Sequence, residues 1–258
     1  MTGQPPDPEP ESIRPVLLIA AVVAVGALVI GTAMLSGRRL PRVTAAAERL
    51  AVLPFVPEHG DSALVREGEE LAVTVALTLG AVPNVTIVDP PTTLARARGH
   101  LTRGEARAVA RALGARYFVF GEVERDHASL RFEGGLFPAD SGYQSRVFAS
   151  GPELDLVTTT DSIAQAVLFK IWASHHMPVV SLTAATTGSS EALEAFLAGE
   201  RDLGAGRTIE AAASYTRAAG ADPTFRLAWE RLARVASQRG DTATVNRARR
   251  ALAAIGTP

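Results

Sequence analysis

Five histidines and two short acidic groups are the side chains of this 258-residue chain that could do chemistry. His175 and His176 would offer two imidazole ligands to a metal. Adjacent helix residues diverge by about 100°, however, and the neighbours one turn away are Ile171, Trp172, Val179 and Val180. The pair reads instead as a solvated helix end, where imidazolium suits the dipole. His59, His100 and His127 each lie beside Gly or Asp in apparent turns, as surface residues do. Glu67, Glu69 and Glu70 have the density of a carboxylate site, but a solvated, dipole-compatible helix start explains them. Glu122, Glu124 and Asp126 alternate along a strand and share one face. Such a face can bind a divalent ion; with Arg125 and Arg131 nearby, it reads as an exposed sheet face.

No phosphate-binding loop, dinucleotide fingerprint or Gly-x-Ser-x-Gly elbow occurs. Gly134-Gly135 lies inside a strand pattern and predicts a bulge or a close backbone approach. Cysteine is absent, which removes thiol nucleophiles, disulfides and Cys-ligated zinc. We therefore expect no catalytic, cofactor or metal site, and no enzyme. The 26 basic and 27 acidic residues leave a formal net charge of −1. That balance argues against a nucleic-acid partner, which calls for a concentrated basic face.

The length exceeds one typical domain and predicts two small domains or one with appendages. Residues 1–15 alternate proline with acidic residues and read as a disordered tail. Residues 16–35 (VLLIAAVVAVGALVIGTAML) then carry no charge. About 20 such residues cross a hydrocarbon core of roughly 30 Å. Val16, Leu17, Leu18, Ile19, Val22, Val23, Val25, Leu28, Val29, Ile30 and Leu35 are the expected lipid-facing anchor. An acidic leader and the lack of a small-residue cleavage site favour an anchor over a signal peptide.

Arg38, Arg39 and Arg42 follow the span and only Arg14 precedes it. The positive-inside bias then puts the soluble region in the cytoplasm of a bacterial inner-membrane protein, the alternative being the periplasm. Ala20, Ala24, Ala27 and Gly31 share one helix face, which suggests a homodimer. After a linker over 36–48, residues 49–176 alternate strand and helix signals. The run 50–56 is an apolar strand. Residues 63–80 keep helical spacing, and 84–89 form a second strand stopped by Pro90-Pro91.

Residues 93–98 predict a short helix. Thr102 and Glu105 form a capping box for a helix that Gly114 ends. Residues 116–123, 130–137 and 144–149 are strands of an antiparallel meander, and 154–174 a closing helix. The expected class is an α/β domain, a mixed sheet with flanking helices. The segment Ala51-Val52-Leu53-Pro54-Phe55, the strand Val85-Thr86-Ile87-Val88, and Ala110, Leu113-Gly114, Tyr117, Gly121 and Val123 together resemble the TolB-like amino-terminal-type domain of bacterial multi-domain proteins. Departures are Glu122 and Glu124, where that family usually has Ser and Arg, and Phe148 near a usual Trp. The resemblance implies no catalytic residues.

Beyond a linker over 177–190, residues 191–258 turn helical, and Gly206 and Gly240 stand 34 residues apart, the tetratricopeptide period. Gly199, Ala211, Tyr215, Ala218 and Pro223 fill the small, small, aromatic, small and proline positions of one unit. Trp229, Leu232 and Gly240 belong to the next. The region thus resembles a pair of tetratricopeptide-like hairpins. Val245 and Arg249 replace the expected small and aromatic residues, so the last helix reads as a polar cap. Two units fall below the usual minimum of about three, so they must lean on the α/β domain or a partner. The resulting expectation is a membrane-anchored scaffold that binds a protein partner through the concave face of the hairpins. A small-molecule sensor is the alternative.

Overall fold

The structure is a computed structural model that describes residues 48–58, 61, 64–141, 145–152, 155–172 and 179–256. The expected span 16–35, His59 and the His175–His176 pair lie outside the described residues. Among the described residues, no helix is long and apolar enough to cross a membrane.

Strand β1, Glu48–Val52, runs parallel to both β3, Val85–Ile87, and β4, Tyr117–Asp126. Pro54 cannot donate a ladder hydrogen bond, and the strand breaks there before resuming as β2, Val56–Pro57, beside β4. Leu53 N–H still reaches the Val119 carbonyl at 3.0 Å, so the break is local. β4 then pairs antiparallel with β5, Ser129–Pro138, which pairs antiparallel with β6, Ser145–Pro152. The six-stranded mixed sheet has the order β3-β1-β4-β5-β6, with β2 also on β4.

The register of β4 on β5 is continuous, and Gly121 faces Gly134 with no bulge. Close approach explains both glycines. A Cβ at either would sit within 2.8 Å of the other strand's backbone and of the Phe132 ring. That ring tilts against Phe55, 4.5 Å between centroids.

Helix α1, Leu64–Gly80, packs its apolar stripe on one sheet face. Gly68 lets it touch the strand backbone, since a Cβ there would stand 2.2 Å from the Phe55 carbonyl oxygen. Helix α4, Leu156–Trp172, covers the rest of that face, joined to α1 by the buried Thr74–Thr160 hydroxyl contact at 2.7 Å. Helix α2, Pro90–Arg96, begins at the prolines that the sequence reading took as a stop and three residues before the expected helix. At the first helical positions proline forfeits no intrahelical bond and its φ is preset for the helix.

Helix α3, Arg103–Ala112, carries the capping box, with Thr102 N–H donating to Glu105 Oε2 at 2.8 Å and Glu105 N–H to Thr102 Oγ1 at 3.4 Å. Gly114 ends it at φ +66°. α3 lies on the opposite face of the sheet, against Phe118, Phe120 and Phe137, which leaves the far half of β4, β5 and β6 uncovered on that side.

After a short α5, Leu182–Ala185, four helices form two hairpins: α6, Ser190–Gly204, with α7, Thr208–Ala221, and α8, Arg226–Gln238, with α9, Thr242–Ile255. Ser189 and Asp241 cap α6 and α9 through Ala192 N–H and Thr244 N–H. Nine helices and six strands are thus present among the described residues. Residues from Ala47 onward form one compact unit, so the hairpins are packed on the α/β layers.

Candidate functional site

Among the described residues, the contact between hairpins and sheet layers holds the buried charges Glu200 and Arg231. Glu200 of α6 is 0% exposed. Arg231 of α8 donates from Nε to its Oε1 at 2.8 Å and from Nη2 to its Oε2 at 3.1 Å. The Tyr215 hydroxyl of α7 donates to the same carboxylate at 2.7 Å. Arg231 Nη2 also meets Asp89 Oδ1 at 2.6 Å, and Arg234 Nη1 holds Asp89 Oδ2 at 2.9 Å.

Asp89 stands at the entry to α2, so the cluster joins three hairpin helices to the sheet domain. Burial pushes the Glu200 carboxyl above its usual range, against the pull of Arg231. Burial, with Glu200 alongside, holds the Tyr215 hydroxyl protonated, while Glu200 and Asp89 override the effect of burial on Arg231 and raise it. Removing either charge from such a cluster strands the other in a low-dielectric interior.

An apolar seam runs beside the charges. Val73 of α1, Leu182, Leu193 and Leu197 are buried together with Leu94 against them. Each fully buried leucine contributes about 1.5–3 kcal/mol. Gly204 permits the closest approach, because a Cβ there would stand 2.8 Å from Leu94 Cβ, and Arg98 donates to its carbonyl at 3.4 Å. Helix α6 is therefore packed on α1, α2 and α5 of the same chain, and α8 is tied through Arg231 and Arg234 to Asp89 at the entry to α2.

Gly199 abuts the Tyr215 ring, where a Cβ would be 2.5 Å away. Ala211, Tyr215 and Ala218 are fully buried and Leu232 is 1% exposed. Gly206 and Gly240 turn at φ +80° and +73°. Trp229 Nε1 donates to the carbonyl of the exposed Pro223 at 2.9 Å, closing the loop between α7 and α8. On α9 only Ala248 is buried, and Arg247, Arg249 and Arg250 face solvent.

Sequence reasoning missed the charged cluster, although a signal existed. Glu200 stands seven residues after Leu193 and four after Phe196, on the apolar stripe of α6; Arg231 stands three after Ala228 and four before Val235. A charge on a buried stripe announces a buried partner.

Glu67, Glu69 and Glu70 are not the solvated helix start expected for them. Glu70 pairs with Arg201 of α6, and burial raises the carboxyls of Glu69 and Glu70. The sequence could not show that a hairpin covers this side of α1. His100 and His127 are exposed in separate turns, with His127 Nδ1 2.7 Å from Asp126 Oδ1. Among the described residues, no group of three His, Asp or Glu side chains is placed to hold a metal.

The uncovered sheet face carries Glu122, Glu124 and Asp126 as expected, with Arg131 bridging Glu124 and Asp126. Arg125 points the other way, toward Asp61 and Glu67. One cross-strand row reads Glu122, Glu133, Phe148. Phe148 is 55% exposed, and Glu122, Glu133 and the neighbouring Arg146 form no ion pair among the described residues. A pocket of about 310 Å3 opens between these side chains and the loop from His100 to Arg103. A second, of about 420 Å3, lies between α1, β3, α5 and α8, with Asp89 and Arg234 at its rim.

No protein-family model matches the chain, and no curated relative matches it. Among solved structures, the C-terminal domain of LpoB from Salmonella enterica is a neighbour with 16% sequence identity and a TM-score of 0.29, covering 42% of this chain and 84% of that one.

Proposed function

We propose that the chain is a membrane-anchored, non-enzymatic protein-interaction module, a scaffold built from a TolB-like α/β domain and tetratricopeptide-like hairpins. The edge strand β6 carries this reading. It is one of the two outer strands of the sheet, eight residues long, and presents Phe148 at its middle. Natural proteins shield long edges with lysine, proline, bulges or a covering element. β6 has one proline, at its last residue, and no lysine. Among the described residues nothing pairs with the outer edge of β6, and a free edge beside an exposed aromatic is a surface on which a partner strand adds.

The Gly199–Tyr215 contact, the 34-residue spacing and the paired glycine turns support the hairpin reading. Residues 16–35 supply the bilayer contact, and the balanced charge speaks against nucleic acid. A photoreactive phenylalanine analogue at position 148 of the full chain, compared with one at Arg247, tests the reading in cells. Protein adducts from position 148 alone are expected; equal adducts from both sites, or none from 148, would refute it.

The arginines after residue 35 place the soluble region in the cytoplasm of this proposal. Protease digestion of a C-terminal tag in intact spheroplasts would move it to the periplasm.

The pocket at the α1–α8 junction favours a second reading, a small-molecule sensor. It is lined mainly by apolar side chains with one ion pair at the mouth, as ligand sites are. A ligand-library thermal-shift screen that raises the melting temperature of the wild type but not of Ala76→Trp supports it, and a blank screen removes it.

A further inference from the structure

We infer that the partner strand at β6 is a second copy of this chain, paired antiparallel with its β6 about a two-fold axis at Val147. The inference rests on the interaction reading above and adds the occupant. β5 bonds one edge of β6, and no described residue bonds the other from Ser145 to Gly151. Two identical edges meet isologously, so each contact is made twice.

With Val147 opposite Val147 of the second copy, Ser145 faces Ala149 and Arg146 faces Phe148. Side chains of opposed residues stand on the same face about 4.5–5.5 Å apart at Cβ. Arg146 of the second copy therefore enters the row that now reads Glu122, Glu133, Phe148.

Three features unexplained within one chain are satisfied together in that row. Glu122 and Glu133 face each other across β4 and β5 with no ion-paired cation among the described residues, an arrangement that costs stability. Phe148 is exposed beside them, and Arg146 has no ion-pair partner among the described residues. In the paired sheet the incoming guanidinium crosses the Phe148 ring, within the roughly 6 Å at which cation and ring attract, and its fork reaches toward Glu133. By symmetry the same occurs at the other end of the interface. No like charges are opposed between Ser145 and Ala149 in this register. An acidic edge would have excluded a second copy; this edge holds one arginine, and the acid it meets lies one strand in.

The absence of cysteine makes the test clean. Full-length chains carrying Arg146→Cys and Phe148→Cys, under different tags, are co-expressed and oxidised in isolated membranes. A crosslink between the two tags, stronger than either homotypic product, is expected. Dominant 148–148 or 146–146 crosslinking would overturn the register, and no crosslink in any combination would overturn the second copy.

Sedimentation of the uncrosslinked chain supplies the second arm. Phe148→Asp lowers the dimer fraction by about tenfold or more, as loss of a central aromatic anchor does. Arg146→Glu lowers it too, and Glu133→Arg in the same chain restores it. Failure of that restoration contradicts the proposed contact. If position 148 yields adducts only with other proteins while the chain sediments as a monomer, the second copy is wrong and the interaction reading stands. If neither adduct nor dimer forms, both fall.

Discussion

The junction between hairpins and sheet uses the same residue types as the open sheet face, in opposite circumstances. At the junction Glu200 is wholly buried, and its carboxylate is held by Arg231 from α8 and Tyr215 from α7. On the sheet, Arg131 is half exposed between Glu124 and Asp126, and Glu122, Glu133 and Arg146 form no ion pair among the described residues. A buried charge needs its partners in one geometry, because an unpaired one costs several kcal/mol. Charges on a wet face need none. The junction charges therefore specify how the hairpins sit on the α/β layers, and the sheet charges remain available to something outside the chain.

The sharpest break of this contrast is Arg231→Ala. It leaves Glu200 buried without its cation and should cost about 3–5 kcal/mol in urea unfolding. A loss below about 1 kcal/mol would mean that the cluster is wet, like the sheet face. Gly199→Ala comes next. Its methyl group overlaps the Tyr215 ring and should destabilise by about 1–3 kcal/mol, as overpacking does.

Acidity sharpens the same comparison. Burial raises the Glu200 carboxyl above its ordinary 4.5, so the folded chain binds a proton there more readily than the unfolded chain does. The stability contributed is fully present below 4.5 and fades as pH rises through the folded value. Glu200→Gln should thus flatten the decline in stability as pH rises above 4.5, measured by thermal unfolding across pH. An unchanged pH profile would contradict this. The smallest effect belongs to the open face. Arg131→Ala should cost about 0–1 kcal/mol, and less in high salt, by the same unfolding measurement.

Much of the fold was legible because its signals are local. Thr102 and Glu105 announce their own cap, Gly114 ends the helix that follows, and the alternation of β4 and β5 shows which residues share a face. Pro90-Pro91 misled because proline both stops a strand and starts a helix, and only the chain beyond decides. Gly68 gave no warning, since its role depends on the carbonyl of Phe55 above it.

The candidate site was less legible for a related reason. Arg234 and Asp89 meet across 145 residues, and no spacing rule reaches that far. The same blindness hid the packing of α6 on α2. Phe148 alternates correctly along β6, but alternation does not say which face of a sheet lacks a helix.

The central claim is that hairpins and sheet layers form one body through a closed junction, with β6 left as the open edge. Amide hydrogen exchange of the full chain, read by peptide, tests it directly. Peptides from α2, α6 and α8 should share the slow global opening of α1, within about 1 kcal/mol, while β6 exchanges faster at its outer edge. Hairpin peptides that open at much lower energy while α1 stays protected would show the junction to be weak and would contradict the account.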